Sequence, residues 1–419
     1  MNTLVQQVKL YEPTHPLHLQ QCDILIEDGI IQRIAQNISD DSANVLPAEG
    51  CWASIGFMDI GVQVGEPGLE HRETLESVCA AAAAGGYTAI ASFPNTEPVV
   101  QSKSELRFLN RYSESQLVDI LPIGAITKNT AGKDLTEMYD LSANGAIAFS
   151  DGDHTIQHSG VLLRALQYAK GFNGIIIHHP DDAHISGEGQ MHEGSVSTQL
   201  GLKGIPSLAE ELMLLRDIEL LDYTNGQLHV HLISTAESVH IIRRAKERGL
   251  NIAASTSPLH LNYNHESLSD FDTQFKVKPP LRAASDQQAL LKGIQEGVID
   301  CISSAHTPLE QEAKFLEFPY AEFGALGLQT ALSLCLQVLT PEETIDILGY
   351  KNRKAFGLDI PTIKEGKMAN LTVFHPEATW KVRESTLMSV SKNSPLLNHM
   401  IKGEVWFTFN KGYFYESEG

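Results

Sequence analysis

Positive charge is in short supply: 31 Lys and Arg stand against 52 Asp and Glu, for a formal net charge of −21. Phosphate backbones are gripped by clustered basic side chains, so this balance disfavours a nucleic-acid partner. Cysteine is scarce too. Cys22, Cys51, Cys79, Cys301 and Cys335 are odd in number and scattered, which suits reduced thiols rather than a disulfide frame. There is no apolar run of the ~18 residues a membrane span needs. The opening "MNTLVQQVKLYEPTHP" lacks a signal-type apolar core. The expectation is a cytoplasmic protein with no membrane attachment.

What is present is ordinary globular material, 42% apolar and 20% charged over 419 residues, enough for one large unit and an accessory one. Short β-branched runs recur at 51–61, 86–95, 117–127, 144–153, 173–182, 227–235, 250–256 and 298–308. Between them lie segments such as "LAEELMLLRDIELL" and "ESVHIIRRAKERGL", with apolar residues three and four apart. Buried strands alternating with helices predict an α/β fold, a (β/α)₈ TIM barrel over 51–361 with its site at the strand C-terminal ends. The chain ends read as hairpins, around Asp28-Gly29 and in "GKMANLTVFHPEATWKV" and "EVWFTFNKGYFYE". Residues 1–50 and 362–419 are therefore expected to form one small composite β-sandwich.

Six segments together carry a resemblance to a known family. They are "IGFMDIGVQVGEPG" (55–68), "SFPNTEPVV" (92–100), "GSVSTQLGLKGIPSLAEE" (194–211), "KVKPPLR" (276–282), "EGVIDCISSAHTPLEQEAK" (296–314) and "FGALGLQTAL" (323–332). They resemble the dihydroorotases, cyclic amidohydrolases of pyrimidine biosynthesis. The resemblance implies a metal-dependent TIM barrel that interconverts carbamoyl aspartate and dihydroorotate. That chemistry needs a metal-activated hydroxide, a carboxylate proton shuttle and a clamp for the substrate carboxylate.

The residues at the matching positions do not supply it. Where the family carries its paired HxH ligands this chain has Gly61 and Gln63, and where a later strand supplies a histidine it has Leu232. The general-base aspartate is Ala305, which leaves His306 without its acidic neighbour, and the substrate arginine is Gly65. The resemblance leaves His179 and Asp151 as remnant metal ligands, with Asp153 close enough to make the register ambiguous, and Asn95 and Lys278 as vestigial substrate contacts. His229 and His231 share one face of a strand, a slip of one residue from Leu232, and are expected to point away from it as structural histidines.

Zinc lowers the pKa of water from about 15.7 to near 7, so its loss removes about eight orders of magnitude of hydroxide. The expectation is a catalytically silent homologue that binds no cofactor, the partner of an aspartate transcarbamoylase in a homo- or hetero-oligomer. The alternatives are an active amidohydrolase with a rebuilt mononuclear zinc site at His179, Asp151 and His231, and a binding module that uses the old cleft without chemistry.

Overall fold

The computed structural model describes residues 2–417. Eight strands run parallel in chain order: β1 (Phe57–Val62), β2 (Tyr87–Ser92), β3 (Asp119–Gly124), β4 (Ala148–Phe149), β5 (Ile176–His178), β6 (Leu228–Val230), β7 (Ile252–Thr256) and β8 (Cys301–Ile302). Most of their side chains are buried on both faces, as a barrel ringed by helices demands. The helices pack outside. In α1 (Leu75–Ala84) Thr74 and Ser77 cap the first turn, and Ala81, Ala82 and Ala83 are buried.

The run expected over 51–61 divides at Gly56. Phe57 onward enters the barrel, while Trp52–Ile55 joins the accessory sheet. That sheet has eight strands drawn from both chain ends. Trp52–Ile55 lies between Asn2–Leu10 and Leu371–Lys381, and Gln21–Glu27, Ile30–Ala35, Met400–Asn410 and Tyr413–Glu416 extend the two sides. Val5, Ile24, Ala53, Val373 and Phe407 share its core.

One seam of the barrel, between β8 and β1, has no ladder of its own. Asn352 joins it: its side-chain amide donates to the carbonyls of Met58 and Ile302, each at 2.7 Å, and its Oδ1 accepts from the Ile302 amide at 3.2 Å. The Ser303 hydroxyl donates to the Ile60 carbonyl, and the Gln63 amide to the His306 carbonyl. Asn352 is fully buried, so Asn352→Ala strands three backbone groups at about 1 kcal/mol or more each. The expected loss is about 3 kcal/mol, read from the urea midpoint; a change below ~0.5 kcal/mol, the scale of an ordinary surface substitution, would mean that the seam holds without it.

Candidate functional site

The strand C-terminal ends meet in a mouth whose backbone is bent in an unusual way. Gly61, Leu232 and Ala305 have φ of 77°, 57° and 54°. A leucine or alanine in this left-handed region costs about 1–3 kcal/mol, and persists only where the surroundings enforce it. They do so here. Buried Asp59 accepts from the Ser304 amide at 2.8 Å and from the Ser304 hydroxyl, fixing the chain ahead of Ala305. Burial pushes the Asp59 pKa up to about 6, although the Ser304 hydrogen bonds oppose it.

Buried Glu210, in α2 (Ser207–Thr224), accepts from the amides of Ser234 (2.8 Å) and Thr235 (3.2 Å) and from the Ser238 hydroxyl (2.6 Å), holding the turn after Leu232. Buried Arg282 donates to the Ser234 hydroxyl at 3.0 Å and to the Ile205 carbonyl at 2.8 Å. Several residues inside the family-like segments thus hold the shape of the mouth.

The side chains on this frame are another matter. Gly61, Leu232 and Ala305 all line one cavity of about 160 Å³, and none carries a donor atom. His231 also lines it, contrary to the expectation that it points away from Leu232. Strand alternation ends at Val230, and the left-handed turn at Leu232 lets two successive residues face the same space. The His231 ring meets Phe93 edge-on at 5.0 Å. A Cβ on Gly61 would fall 2.6 Å from His231 Cε1 and 2.8 Å from the Phe93 ring. The room a ligand at 61 needs is therefore filled. His229 sits deeper, its Nε2 3.1 Å from the Ser255 hydroxyl.

Asp151 stands apart from the cavity. It is buried, accepts from the Thr127 amide at 2.8 Å and from the Thr127 hydroxyl, and does not line the cavity. Strand β4 is only two residues long, and Gly152 (φ 61°) turns the chain so that Asp153 reaches the mouth instead. There the Gln63 amide donates to Asp153. The Asn95 amide donates to the Asp151 carbonyl at 3.1 Å, supporting the loop from outside the cavity lining.

His179 does face the cavity. Its Nδ1–H donates to the His231 carbonyl at 3.0 Å, which leaves the Nε2 lone pair free. Burial, reinforced by the Lys278 ammonium, lowers its pKa. His178, one residue earlier, turns away to Asp217 at 2.6 Å. Lys278 lines the cavity but is paired with Asp181 at 2.7 Å. Against the upward pull of burial, that ammonium holds Asp181 below the usual carboxylate value. His306 lies outside the lining, 3.2 Å from buried Glu73. Gly65 (φ 69°) is packed so that a Cβ would strike the Glu73 carbonyl, which bars an arginine there.

The opposite wall is apolar, with Leu259, Val277, Phe323, Leu326, Leu334 and Leu396. Buried Lys314 fastens part of it by donating to the carbonyls of Lys276 (3.2 Å), Glu322 (3.0 Å) and Gly324 (2.9 Å).

A zinc site takes at least three nitrogen, sulfur or oxygen donors converging at about 2.0–2.3 Å. Among the described residues no three His, Cys, Asp or Glu side chains are grouped to hold a metal ion. With Asp151 committed to Thr127, a rebuilt centre of His179, Asp151 and His231 is not assembled either. The donor set does not fit the metal that the family resemblance implies. Among the described residues no helix is long and apolar enough to cross a membrane.

Comparison with known proteins agrees with the architecture. The family model described as dihydro-orotase-like matches residues 53–238. A dihydroorotase of Geobacter metallireducens is 37% identical over 419 residues, covering 98% of this chain and 99% of that protein. One of Pelotomaculum thermopropionicum is 38% identical over 400 residues, covering 94% of each. Among solved structures, the L-hydantoinase (dihydropyrimidinase) of Arthrobacter aurescens superposes with a TM-score of 0.85 at 23% identity, covering 100% of this chain and 97% of its own. A D-hydantoinase (dihydropyrimidinase) from Thermus sp. gives 0.81 at 19%, covering 99% and 97%. At such identities these structures speak to the fold. The near-full-length relatives go further: the chain belongs to the dihydroorotase family of cyclic amidohydrolases.

Proposed function

We propose that this chain is a catalytically silent dihydroorotase homologue that serves pyrimidine biosynthesis as a structural or regulatory partner of an aspartate transcarbamoylase. The observation that carries the reading is a mouth whose strand-end positions offer no donors, on a barrel of the dihydroorotase family. Gly61, Leu232 and Ala305 form left-handed bends at the cavity and offer nothing to a metal or a proton. A family fold kept without its chemistry points to a role for its shape.

The partnership draws on the dihydroorotase resemblance, in which inactive members assemble with the transcarbamoylase. It is supported by an exposed apolar row on α2, comprising Leu208, Leu212, Leu215 and Tyr223. Such a row is unusual on a surface that meets only water.

The test is sedimentation of the full chain mixed with the aspartate transcarbamoylase of the same organism. A stable co-sedimenting complex at micromolar concentration is expected, and Leu212→Glu with Leu215→Glu should weaken it. Two components sedimenting independently would remove the partnership from the proposal.

A further inference from the structure

The loops that follow β7 and β8 carry aromatic surface turned away from the cavity. Phe315 is 83% exposed and Tyr320 74%, with Leu316 and Phe271 nearly half exposed. The two loops are fastened to each other. The ring of buried Phe318 meets that of Phe271 at 6.4 Å, and the Thr273 hydroxyl donates to the Lys314 carbonyl at 2.8 Å. Phe271 stands in the left-handed region, at φ 63°, which is unfavourable for a bulky residue. Large apolar side chains gathered in this way mark interaction surfaces more often than surfaces that meet only water.

The platform is held from beneath. Buried Lys276 donates to the Phe318 carbonyl at 2.7 Å, with its ammonium 5.1 Å from the centre of that ring. Lys314 gathers the carbonyls already described, and the Glu322 amide donates to the Ala313 carbonyl at 2.9 Å, closing the loop. A surface fixed before binding loses little conformational freedom on contact.

The charges around it select the occupant. Glu266, Asp270, Glu312 and Glu317 are exposed on these loops, and their carboxylates have no ion-pair or hydrogen-bond partner among the described residues. Lys276 and Lys314 are turned inward and buried. Arg72 reaches the far end of the loop, where Glu310 and Glu322 take it. A second copy of this chain would set like charges against one another, on a protein of net charge −21, and an anionic lipid surface would be repelled likewise. A guanidinium satisfies both features, since it stacks on aromatic faces and takes carboxylates through two parallel hydrogen bonds.

We infer that the loops over 266–272 and 312–320 form a docking platform for an arginine-bearing segment of a partner protein, with Phe271, Phe315 and Tyr320 as stacking faces and Asp270, Glu312 and Glu317 as counter-charges. The platform lies on other elements than α2, and the inference stands independently of whether the chain is catalytically silent.

The probe is a fluorescent peptide of arginines spaced by Gly and Ser, titrated into the full chain at about 0.15 M ionic strength, beside a peptide with lysine at every arginine. Saturable anisotropy is expected, with the arginine peptide tighter by about fivefold. Phe315→Ser with Tyr320→Ser leaves the net charge unchanged and should weaken the arginine peptide about tenfold, with an unchanged melting temperature. Tyr139→Ser with Met400→Ser, a matched change at exposed residues elsewhere, should leave it as it was.

Equal affinity for the two peptides, or no loss in the Phe315→Ser, Tyr320→Ser variant, would reduce the effect to attraction by the net charge and overturn the platform. No saturable binding of the arginine peptide would overturn it as well. So would a dimer of the chain that this double variant dissociates, because the face would then belong to a second copy.

Discussion

Protein purified from zinc-replete expression and supplied with dihydroorotate is expected to hydrolyse it at least about six orders of magnitude more slowly than a relative with all its ligands. Loss of the metal-activated hydroxide alone accounts for about eight orders, and loss of the general base for a further ~10²–10⁴. These terms are not additive, and a slowing of about six orders lies below the hydroxide term alone. The paired measurement is elemental analysis, with well under one zinc per chain expected.

Restoring the four side chains together, by Gly61→His, Gln63→His, Leu232→His and Ala305→Asp, is not expected to recover the rate. A side chain at 61 runs into His231 and Phe93, and such overpacking costs about 1–3 kcal/mol. The pair Leu232→His with Ala305→Asp avoids that clash and uses bends already present. It should gain zinc through His179 while staying folded. Wild-type turnover within a hundredfold of an active relative would end the silent reading.

Stability should fall steeply as pH drops from 7 to 4. Burial lowers the pKa of His192 and His260 to about 4 and of His229 to about 3, and takes His231 well below the ordinary value. In the unfolded chain these rings titrate near 6.5. Between those limits the unfolded state binds more protons, so acid favours unfolding. The contribution is fully present above pH 6.5 and is lost progressively on the way down.

His192, His229 and His260 each contribute on the order of 3 kcal/mol by pH 4. Asp59 opposes them. Its pKa of about 6 is raised from 3.8, so the folded state holds its proton more tightly and gains a similar amount over pH 6 to 4. Burial also raises Asp151, Asp153 and Glu211, which oppose the loss, while Asp181, held down against burial by Lys278, and Glu73, held down against burial by His306, reinforce it. With the histidines added, the balance is a loss of stability on acidification. Urea midpoints at pH 7.5, 6 and 5 should fall in sequence, and His229→Gln should flatten the slope by about one proton. A midpoint unchanged between pH 7.5 and 5 would contradict the assignment.

The fold was legible because its signals are local: eight apolar runs, helices between them, and turn residues at the ends. The residue types at 61, 63, 232 and 305, with neither an imidazole nor a carboxylate among them, were legible as well. What periodicity missed lies where regular structure stops. Alternation fails after β4, only Ala148–Phe149, so it could not choose between Asp151 and Asp153. It fails again at Leu232, whose positive φ brings His231 to the cavity. Asn95 was placed at the substrate by motif, and only the fold shows that it braces the Asp151 carbonyl. No sequence pattern signals that Phe93 and His231 fill the space beside Gly61.

The accessory sheet has a consequence for synthesis. Trp52–Ile55 emerges from the ribosome more than 300 residues ahead of Leu371–Phe374, its antiparallel neighbour, and Asn352 reaches the Met58 carbonyl across a similar span. Until both late segments appear, the early strands have an open edge and the barrel an unsealed side. Contacts of such long sequence separation form slowly, and unpaired edges invite association with other chains. The nascent protein is thus most vulnerable just before these late segments emerge. A message truncated after residue 350 should yield aggregate rather than a smaller barrel.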